Sequence, residues 1–346
     1  MKKFYSIAFI AALIMVPLYF FSCTTTIDLS MTSVQEEGGI KFIQVTEEGE
    51  SILGPGVSVN GNNIGWDTRT YLSISPDNQR LAYIGSTTVN GMRQSNIFIR
   101  DANTGKSTIQ RTFKNSVLSP AFSRDGKYLA FEDNSEGESN IYLINSKEGM
   151  GTQQITTSSS NETQPQFSKN GQNIFFVKEN SSSQMVNGVV KTIKNYNIWG
   201  YNRNTSVLTQ YSEGLNPSPI DSGKILITRN NKLTGKGEIW ILDIVSGTET
   251  QVFSESRMAF SNPSISPDHK KILLVGSTPA SKNNSSNLNI YTVNVDGSEL
   301  TQLTYHPGVD CSPIWSADGK SIYFISERGN KNRRYQIWRM EYKNTL

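Results

Sequence analysis

The chain has 346 residues, and its 33 Lys and Arg side chains nearly balance 30 Asp and Glu side chains, for a formal net charge of +3. This balance, with no basic stripe, excludes the class of proteins that bind nucleic acid through a strongly basic surface. The chain has two cysteines, and a domain of about 300 residues buries an ample core without a disulfide.

The N-terminal segment predicts export from the cytoplasm. Residues 1–22 form a signal peptide in which two lysines precede the apolar run 7–21. This run is short for a bilayer span, which needs about 20 apolar residues. Cys23 directly follows a small residue and resembles the bacterial signal whose cysteine is lipidated and becomes the mature N-terminus. Residues 23–39 have no periodic pattern and predict a polar tether.

Two interpretations of this N-terminus remain, lipidation at Cys23 or an uncleaved membrane anchor. Both place the rest of the chain outside the cytoplasm. We expect a lipid anchor in the outer membrane, with the protein facing the periplasm. Cys311 is then the only thiol left, so it has no intrachain partner and is expected to be a small buried side chain.

A short phrase recurs along the rest of the chain: a serine, two or three polar turn residues, and a run of apolar β-formers. A degenerate copy at 219–224 divides the longest interval, so the copies recur every 45 to 50 residues. The five clear copies begin at Ser75, Ser123, Ser168, Ser266 and Ser316. Six copies of an all-β unit at this period indicate a β-propeller.

Each unit is predicted to contain four strands. The third strand has a polar residue, then Ile, then an aromatic residue. The six third strands contain residues 96–98, 140–142, 197–199, 238–240, 289–291 and 336–338. The aromatic side chains are expected in the core, since large aromatic residues dominate buried area.

The count of fourth strands predicts how the ring closes. The sixth unit ends near Met340, with too few residues left for a fourth strand, whereas residues 41–46 have the fourth-strand pattern without a preceding unit. We therefore predict an all-β fold over residues 40–346. It is a six-bladed β-propeller of four-stranded antiparallel blades, in which the N-terminal strand completes the last blade.

The sequence contains no recognisable enzyme constellation. Its two histidines, His269 and His306, have no metal-ligand spacing to another ligand, and no nucleophile elbow or phosphate loop occurs. The four aspartates of the repeated turns are predicted to be structural. They are Asp77, Asp125, Asp268 and Asp318. We expect no enzymatic activity, no cofactor and no metal.

The connections divide into two sets on opposite faces. The repeated turns lie on one face, the tight-turn face. The connections from second to third strands and from one blade to the next share the other, the long-loop face. Residues just before the inner strands are predicted to ring the channel mouth on the long-loop face as a peptide or sugar site, or simply to line a wet channel. The ring comprises Tyr71, Ser119, Gln164, Asn216, Asn262 and Ser312, with Glu162 and Asp310 two positions earlier in their blades.

One basic cluster lies between the second and third strands of the last blade. It comprises Arg328, Lys331, Arg333 and Arg334. A solvated hairpin tip and a patch for an acidic partner are the two interpretations.

The phrases at 120–127 and 313–320 resemble the repeat of the TolB-like propeller family, and the resemblance covers residues 40–342 in all six units. It implies a six-bladed propeller in the bacterial envelope, and the channel face of the family's namesake binds a peptidoglycan-associated lipoprotein. The namesake also has an N-terminal α/β domain, for which residues 24–39 leave no room.

The predicted function is therefore a non-enzymatic envelope lipoprotein that acts as a binding platform. Its partner is an envelope protein or peptide, it contacts the membrane through the N-terminal lipid, and the chain is a monomer that does not bind nucleic acid. The alternative is a carbohydrate-binding protein, or an enzyme acting on polysaccharide, that uses the propeller channel.

Overall fold

The computed structural model describes residues 34–46, 52–54, 69–102, 107–112, 117–135, 137–147, 151–186, 188–278, 287–329 and 335–343. Within these ranges, no helix is long and apolar enough to cross a membrane. The predicted signal peptide and Cys23 lie outside the described residues, as do Lys331, Arg333 and Arg334.

Six antiparallel sheets form the six predicted blades. Blade 1 has β3 (Leu72–Ile74), β4 (Arg80–Val89), β5 (Met92–Asp101) and β6 (Ser107–Thr112). Blade 2 has β7 (Val117–Phe122), β8 (Tyr128–Asp133), β9 (Asn140–Asn145) and β10 (Gln153–Gln154). Blade 3 has β11 (Glu162–Phe167), β12 (Asn173–Val186), β13 (Val189–Asn202) and β14 (Leu208–Glu213).

Blade 4 has β15 (Leu215–Pro219), β16 (Lys224–Asn230), β17 (Gly237–Asp243) and β18 (Glu249–Phe253). Blade 5 has β19 (Ala259–Ile265), β20 (Lys271–Thr278), β21 (Asn287–Asn294) and β22 (Thr301–Gln302). Blade 6 has β23 (Asp310–Trp315), β24 (Ser321–Ser326) and β25 (Gln336–Glu341), joined by β2 (Ile40–Gln44) and β1 (Val34–Glu37). The first strands of successive blades contact one another around the ring, so they line the axis.

The core lies between blades. Second strands are buried on both faces, as the continuous apolar run Leu81–Ile84 illustrates. In the repeated third strand, the isoleucine is fully buried in all six blades, whereas only Tyr291 and Trp338 among the aromatic residues are buried. The other four are half-buried and pack against core clusters at the blade surface.

The predicted ring closure is confirmed. β2 pairs with β25, with Phe42 opposite Met340 and Gln44 opposite Trp338. A fifth strand, β1, pairs outside β2. Its residues lie in the segment predicted as a tether. The sequence does not predict this strand because its side chains are exposed or half-buried and mostly polar, so they form no apolar run.

The closing strands are held by a buried cation. Arg328 is fully buried, and its Nη2 lies 2.7 Å from Asp310 Oδ2 and 3.5 Å from Glu37 Oε2. Its guanidinium stands 4.0 Å from the centre of the Phe42 ring. The interpretation of Arg328 as a solvated or surface cation is therefore wrong, because its charge pairs inside blade 6 and joins β1 and β2 to it.

The repeated phrase forms one hydrogen-bonded turn. In blade 2, the Ser123 hydroxyl donates to Asp125 Oδ1 (2.6 Å) and accepts from the Tyr128 amide (2.9 Å), while the Lys127 amide donates to the same carboxylate oxygen (3.0 Å). Blade 3 makes the same turn with Asn170 in the aspartate position. The aspartates of these turns are therefore structural, as predicted.

Acid is expected to weaken these turns. Burial raises the pKa of Asp125, but hydrogen bonds from the Ser123 hydroxyl and the Lys127 amide outweigh it, and the net pKa is lowered. The pKa values of the other turn aspartates, Asp77, Asp268 and Asp318, are lowered as well. Because its pKa is lowered in the folded state, each carboxylate stabilises the fold at pH values above its usual pKa of 3.8. This stabilisation is lost as the pH falls through the pKa of the folded state.

We therefore expect a chain with Asn at all four positions to keep its fold at neutral pH, because Asn170 already makes the same bonds. Its free energy of unfolding should fall less steeply than that of the parent as pH drops below about 4. Urea unfolding at a series of pH values measures this. An equally steep fall in both chains would contradict a role for the aspartates.

Candidate functional site

The predicted ring residues sit on a repeated distortion of the inner strands. Ser119, Gln164, Asn216, Asn262 and Ser312 have φ between 50° and 58°, in the left-handed region. In each blade this residue lies where the register between first and second strands shifts, which is a β-bulge. Tyr71 precedes the short inner strand of blade 1 and has no such φ.

The bulges bring these residues together across neighbouring blades. Gln164 Oε1 accepts hydrogen bonds from the backbone N (2.7 Å) and Nδ2 (3.3 Å) of Asn216. Asn216 Oδ1 accepts from the Asn262 amide at 3.4 Å, and Ser312 Oγ accepts from the Tyr71 amide at 3.4 Å. The polar ring therefore links blades 3, 4 and 5 and also joins blade 6 to blade 1.

Three buried acids lie near the ring. Ser119 donates its hydroxyl hydrogen to Glu132, and Glu162 lies 3.1 Å from Lys178 Nζ. Asp310 pairs with Arg328, and burial raises the pKa of this carboxyl despite the guanidinium. None of these three carboxylates lines the cavity on the axis.

A cavity of about 660 Å³ occupies the axis. Gln164, Asn216 and Asn262 lie at its inner end, and its walls are the inner strands. The other lining residues belong to the repeated turns and include Pro76, Arg124, Lys169, Asp221, Pro267 and His269. Arg124, Asp221 and His269 are exposed, so the cavity opens on the tight-turn face rather than on the long-loop face.

Two cations stand at this mouth on consecutive blades. Arg124 is exposed and Lys169 is half-buried. Burial and the charge of Arg124 both lower the pKa of Lys169. Among the described residues, no carboxylate forms an ion pair with either cation. The carboxylate of Asp221, on blade 4, instead accepts hydrogen bonds from the Gly223 and Lys224 amides, each at 2.8 Å.

The cavity mouth lies outside the predicted site because the repeated turns that form it were expected to be purely structural. The serine and the aspartate of each turn are structural. The residue between them lines the axial cavity, and its identity varies among the blades. It is Pro76, Arg124, Lys169, Pro267 or Ala317. The sequence signal at that position is the pair of cations, Arg124 and Lys169, on consecutive blades, and the ring arrangement brings them to one cavity mouth.

The described residues contain no group of three or more His, Cys, Asp or Glu side chains arranged to hold a metal ion.

Solved structures of other proteins have a similar fold. The chain is similar to TolB from Acinetobacter baumannii (TM-score 0.58, 17% identity, 90% of this chain and 79% of that chain). It is also similar to oligogalacturonate lyase from Vibrio parahaemolyticus (TM-score 0.59, 10% identity, 91% of this chain and 96% of that chain). At such identities, the likeness shows the fold alone.

A curated relative is similar over a short segment. Dipeptidyl-peptidase 5 of Porphyromonas gingivalis is 39% identical over 69 residues, which are 20% of this chain and 10% of that protein. The match thus spans a tenth of the relative's length.

These relatives correct one prediction. The expectation that the chain is not an enzyme is wrong, because an oligogalacturonate lyase has this fold and a peptidase shares a segment of the sequence. The absence of a familiar catalytic motif therefore does not separate this chain from enzymes. The model of the TolB beta propeller domain matches residues 68–207 and 200–345, so the chain belongs to the TolB beta-propeller family.

Proposed function

We propose that this propeller is a recognition platform that binds an acidic segment of an envelope protein or peptide in the axial cavity, through the tight-turn face. The observation that carries the proposal is the pair Arg124 and Lys169 at the mouth of a cavity of about 660 Å³. That volume lies within the roughly 300–1,000 Å³ range of ligand sites in proteins.

The charges at the mouth favour an anionic ligand. Lys169 is half-buried near Arg124, and the two positive charges repel each other. A carboxylate between them would relieve that repulsion and accept hydrogen bonds from both. Acidic side chains and a free C-terminus both supply such a group.

The inner end of the cavity suits a peptide backbone. Gln164, Asn216 and Asn262 carry side-chain amides, which contain both donors and acceptors. Rigid prolines of the inner strands and turns, such as Pro217 and Pro263, supply apolar surface along the walls. A short segment entering through the tight turns would thus meet cations first and amides at depth.

We further propose that lipid on Cys23 holds the propeller at the outer membrane on the periplasmic side. The basic start, the apolar run 7–21 and the small residue before Cys23 support this proposal. Metabolic labelling with an alkyne fatty acid tests it, because Cys23→Ala should abolish incorporation of label and Cys311→Ala should not.

Peptide selection tests the cavity. Short random peptides captured by the protein should be enriched in Asp and Glu, and the best of them should bind Arg124→Ala/Lys169→Ala about ten- to a hundredfold more weakly. Fluorescence polarisation measures this loss. Lys127→Ala is the matched control, because Lys127 is an exposed cation of the same turn that does not line the cavity. Unchanged binding by the double variant would refute the site.

An acidic oligosaccharide is the second candidate ligand. The same two cations would bind uronate carboxylates, and an oligogalacturonate lyase is similar in fold. Oligogalacturonate added to the protein distinguishes the candidates. Displacement of the selected peptide, or release of an unsaturated sugar product, would favour the oligosaccharide.

A further inference from the structure

Blade 3 carries a two-stranded ribbon that projects beyond its sheet. β11 pairs with β12 only as far as Lys178, and β14 pairs with β13 only from Asn197 onwards. β12 and β13 nevertheless remain paired with each other up to Val186 and Val189. Residues 180–186 and 189–195, the β12–β13 ribbon, thus extend for about 23 Å at 3.3 Å per residue.

The tip of the β12–β13 ribbon is apolar and exposed. Met185 is 70% exposed, Val190, which pairs with it, is 64% exposed, and Val189 is 59% exposed. Successive side chains on a strand point to opposite faces, so Val189 and Val190 place apolar groups on both sides of the ribbon. Exposed apolar clusters on an otherwise polar protein mark sites of interaction.

A positive charge lies directly behind the tip. Lys191 is exposed and pairs with Gln184, and serine and threonine residues follow it along both strands. Lys194 lies further from the tip and forms an ion pair with Glu179, with 2.8 Å between Nζ and Oε1. An apolar tip backed by lysine is the arrangement that suits the boundary of an anionic bilayer, where the lysine reaches the headgroups.

The chain enters the propeller on the same face. The tight turn delivers β24 from the tight-turn face, and β24, β25, β2 and β1 are successively antiparallel. β1 therefore begins on the long-loop face, from which the β12–β13 ribbon also projects. In the proposed mature chain, residues 23–33 connect the predicted lipid at Cys23 to the start of β1.

We infer that the tip of the β12–β13 ribbon inserts into the headgroup region of an anionic lipid bilayer and forms a second membrane contact beside the N-terminal lipid. The inference rests on the anchoring proposed above. Two contacts on the long-loop face hold that face against the membrane. The cavity mouth, on the opposite face, then points away from the lipid and stays accessible to a partner.

Site-specific labelling tests this contact. The full chain would carry the environment-sensitive fluorophore NBD at Val190→Cys, or at Val245→Cys as the matched control. Val245 is an 85% exposed valine in a tight turn of blade 4, on the opposite face. Unsubstituted protein treated with NBD supplies the background, since Cys311 is buried. The samples are reconstituted with vesicles of phosphatidylglycerol and phosphatidylethanolamine.

At position 190, the vesicles should shift emission to the blue and reduce quenching by aqueous iodide severalfold, and Lys191→Glu should weaken both effects. Position 245 should show neither effect. Equal iodide quenching at the two positions in protein that floats with the vesicles would overturn the ribbon contact and leave the lipid anchor intact. Failure of the unsubstituted protein to float would overturn both. Shielding at 190 without lipid that grows with protein concentration would indicate contact with a second copy, and would also overturn the inference.

Discussion

Replacing Arg328 with alanine is expected to lower the free energy of unfolding by about 3–5 kcal/mol, because the change leaves Asp310 buried without its cation. The guanidinium also bridges to Glu37 on β1 and stacks on Phe42 of β2. The loss should therefore loosen the closing strands first. Denaturant unfolding measures the energy, and limited proteolysis of the folded protein reports cleavage between β2 and the rest of the chain.

A paired substitution separates charge from packing. Arg328→Met with Asp310→Leu removes both buried charges and keeps similar volume, so it should recover much of the stability that Arg328→Ala loses. If Arg328→Ala and the paired variant unfold at the same denaturant concentration, the isolated buried carboxylate is not the source of the loss. If Arg328→Ala is as stable as the parent, the cation does not hold the ring closed.

Phe42→Ala is expected to cost about 3–5 kcal/mol, the usual range for removing a fully buried phenylalanine. Phe42 is on β2, packs edge-on against Phe324 at 6.0 Å, and lies under the Arg328 guanidinium. The cavity left behind would lie between the closing strand β2 and β24. Calorimetric and denaturant unfolding would both report the loss.

Val34→Ala is the matched control for Phe42→Ala. Val34 lies on β1, the outermost strand of the same blade, and is 45% exposed. Its truncation should change stability by no more than about 0.5 kcal/mol. A comparable loss in both variants would mean that the whole edge of blade 6, rather than the buried face of β2, determines closure.

Much of the fold could be predicted because a propeller repeats its local chemistry. The phrase at Ser123 is one self-contained turn, and its copies count the blades. Closure followed from a fourth strand that lacked a unit of its own. Arg328 could not be placed in the same way, since its partners Phe42 and Asp310 come from different segments and a cation in a polar stretch ordinarily lies in solvent.

The site was predicted only in part. The polar residues expected before the inner strands lie at bulges within them, and some of these residues meet around the axis, as the bonds between Gln164 and Asn216 show. The face on which the cavity opens could not be predicted from these residues. The long-loop face was expected because its loops are long and variable, but loop length does not determine at which end of the axis a cavity opens. Arg124 and Lys169 occupy the same position of the repeat in consecutive blades, but only the ring arrangement of the blades brings them to the mouth of one cavity.

The most direct measurement of the central claim is the position of a bound acidic ligand. A selected acidic peptide carrying a photoreactive group, crosslinked to the full chain and mapped by mass spectrometry, should attach to cavity-mouth residues such as Arg124, Lys169 or His269. An excess of unlabelled peptide should suppress the attachment. Crosslinks confined to long-loop residues such as Leu233 or Tyr305 would contradict recognition through the tight-turn face.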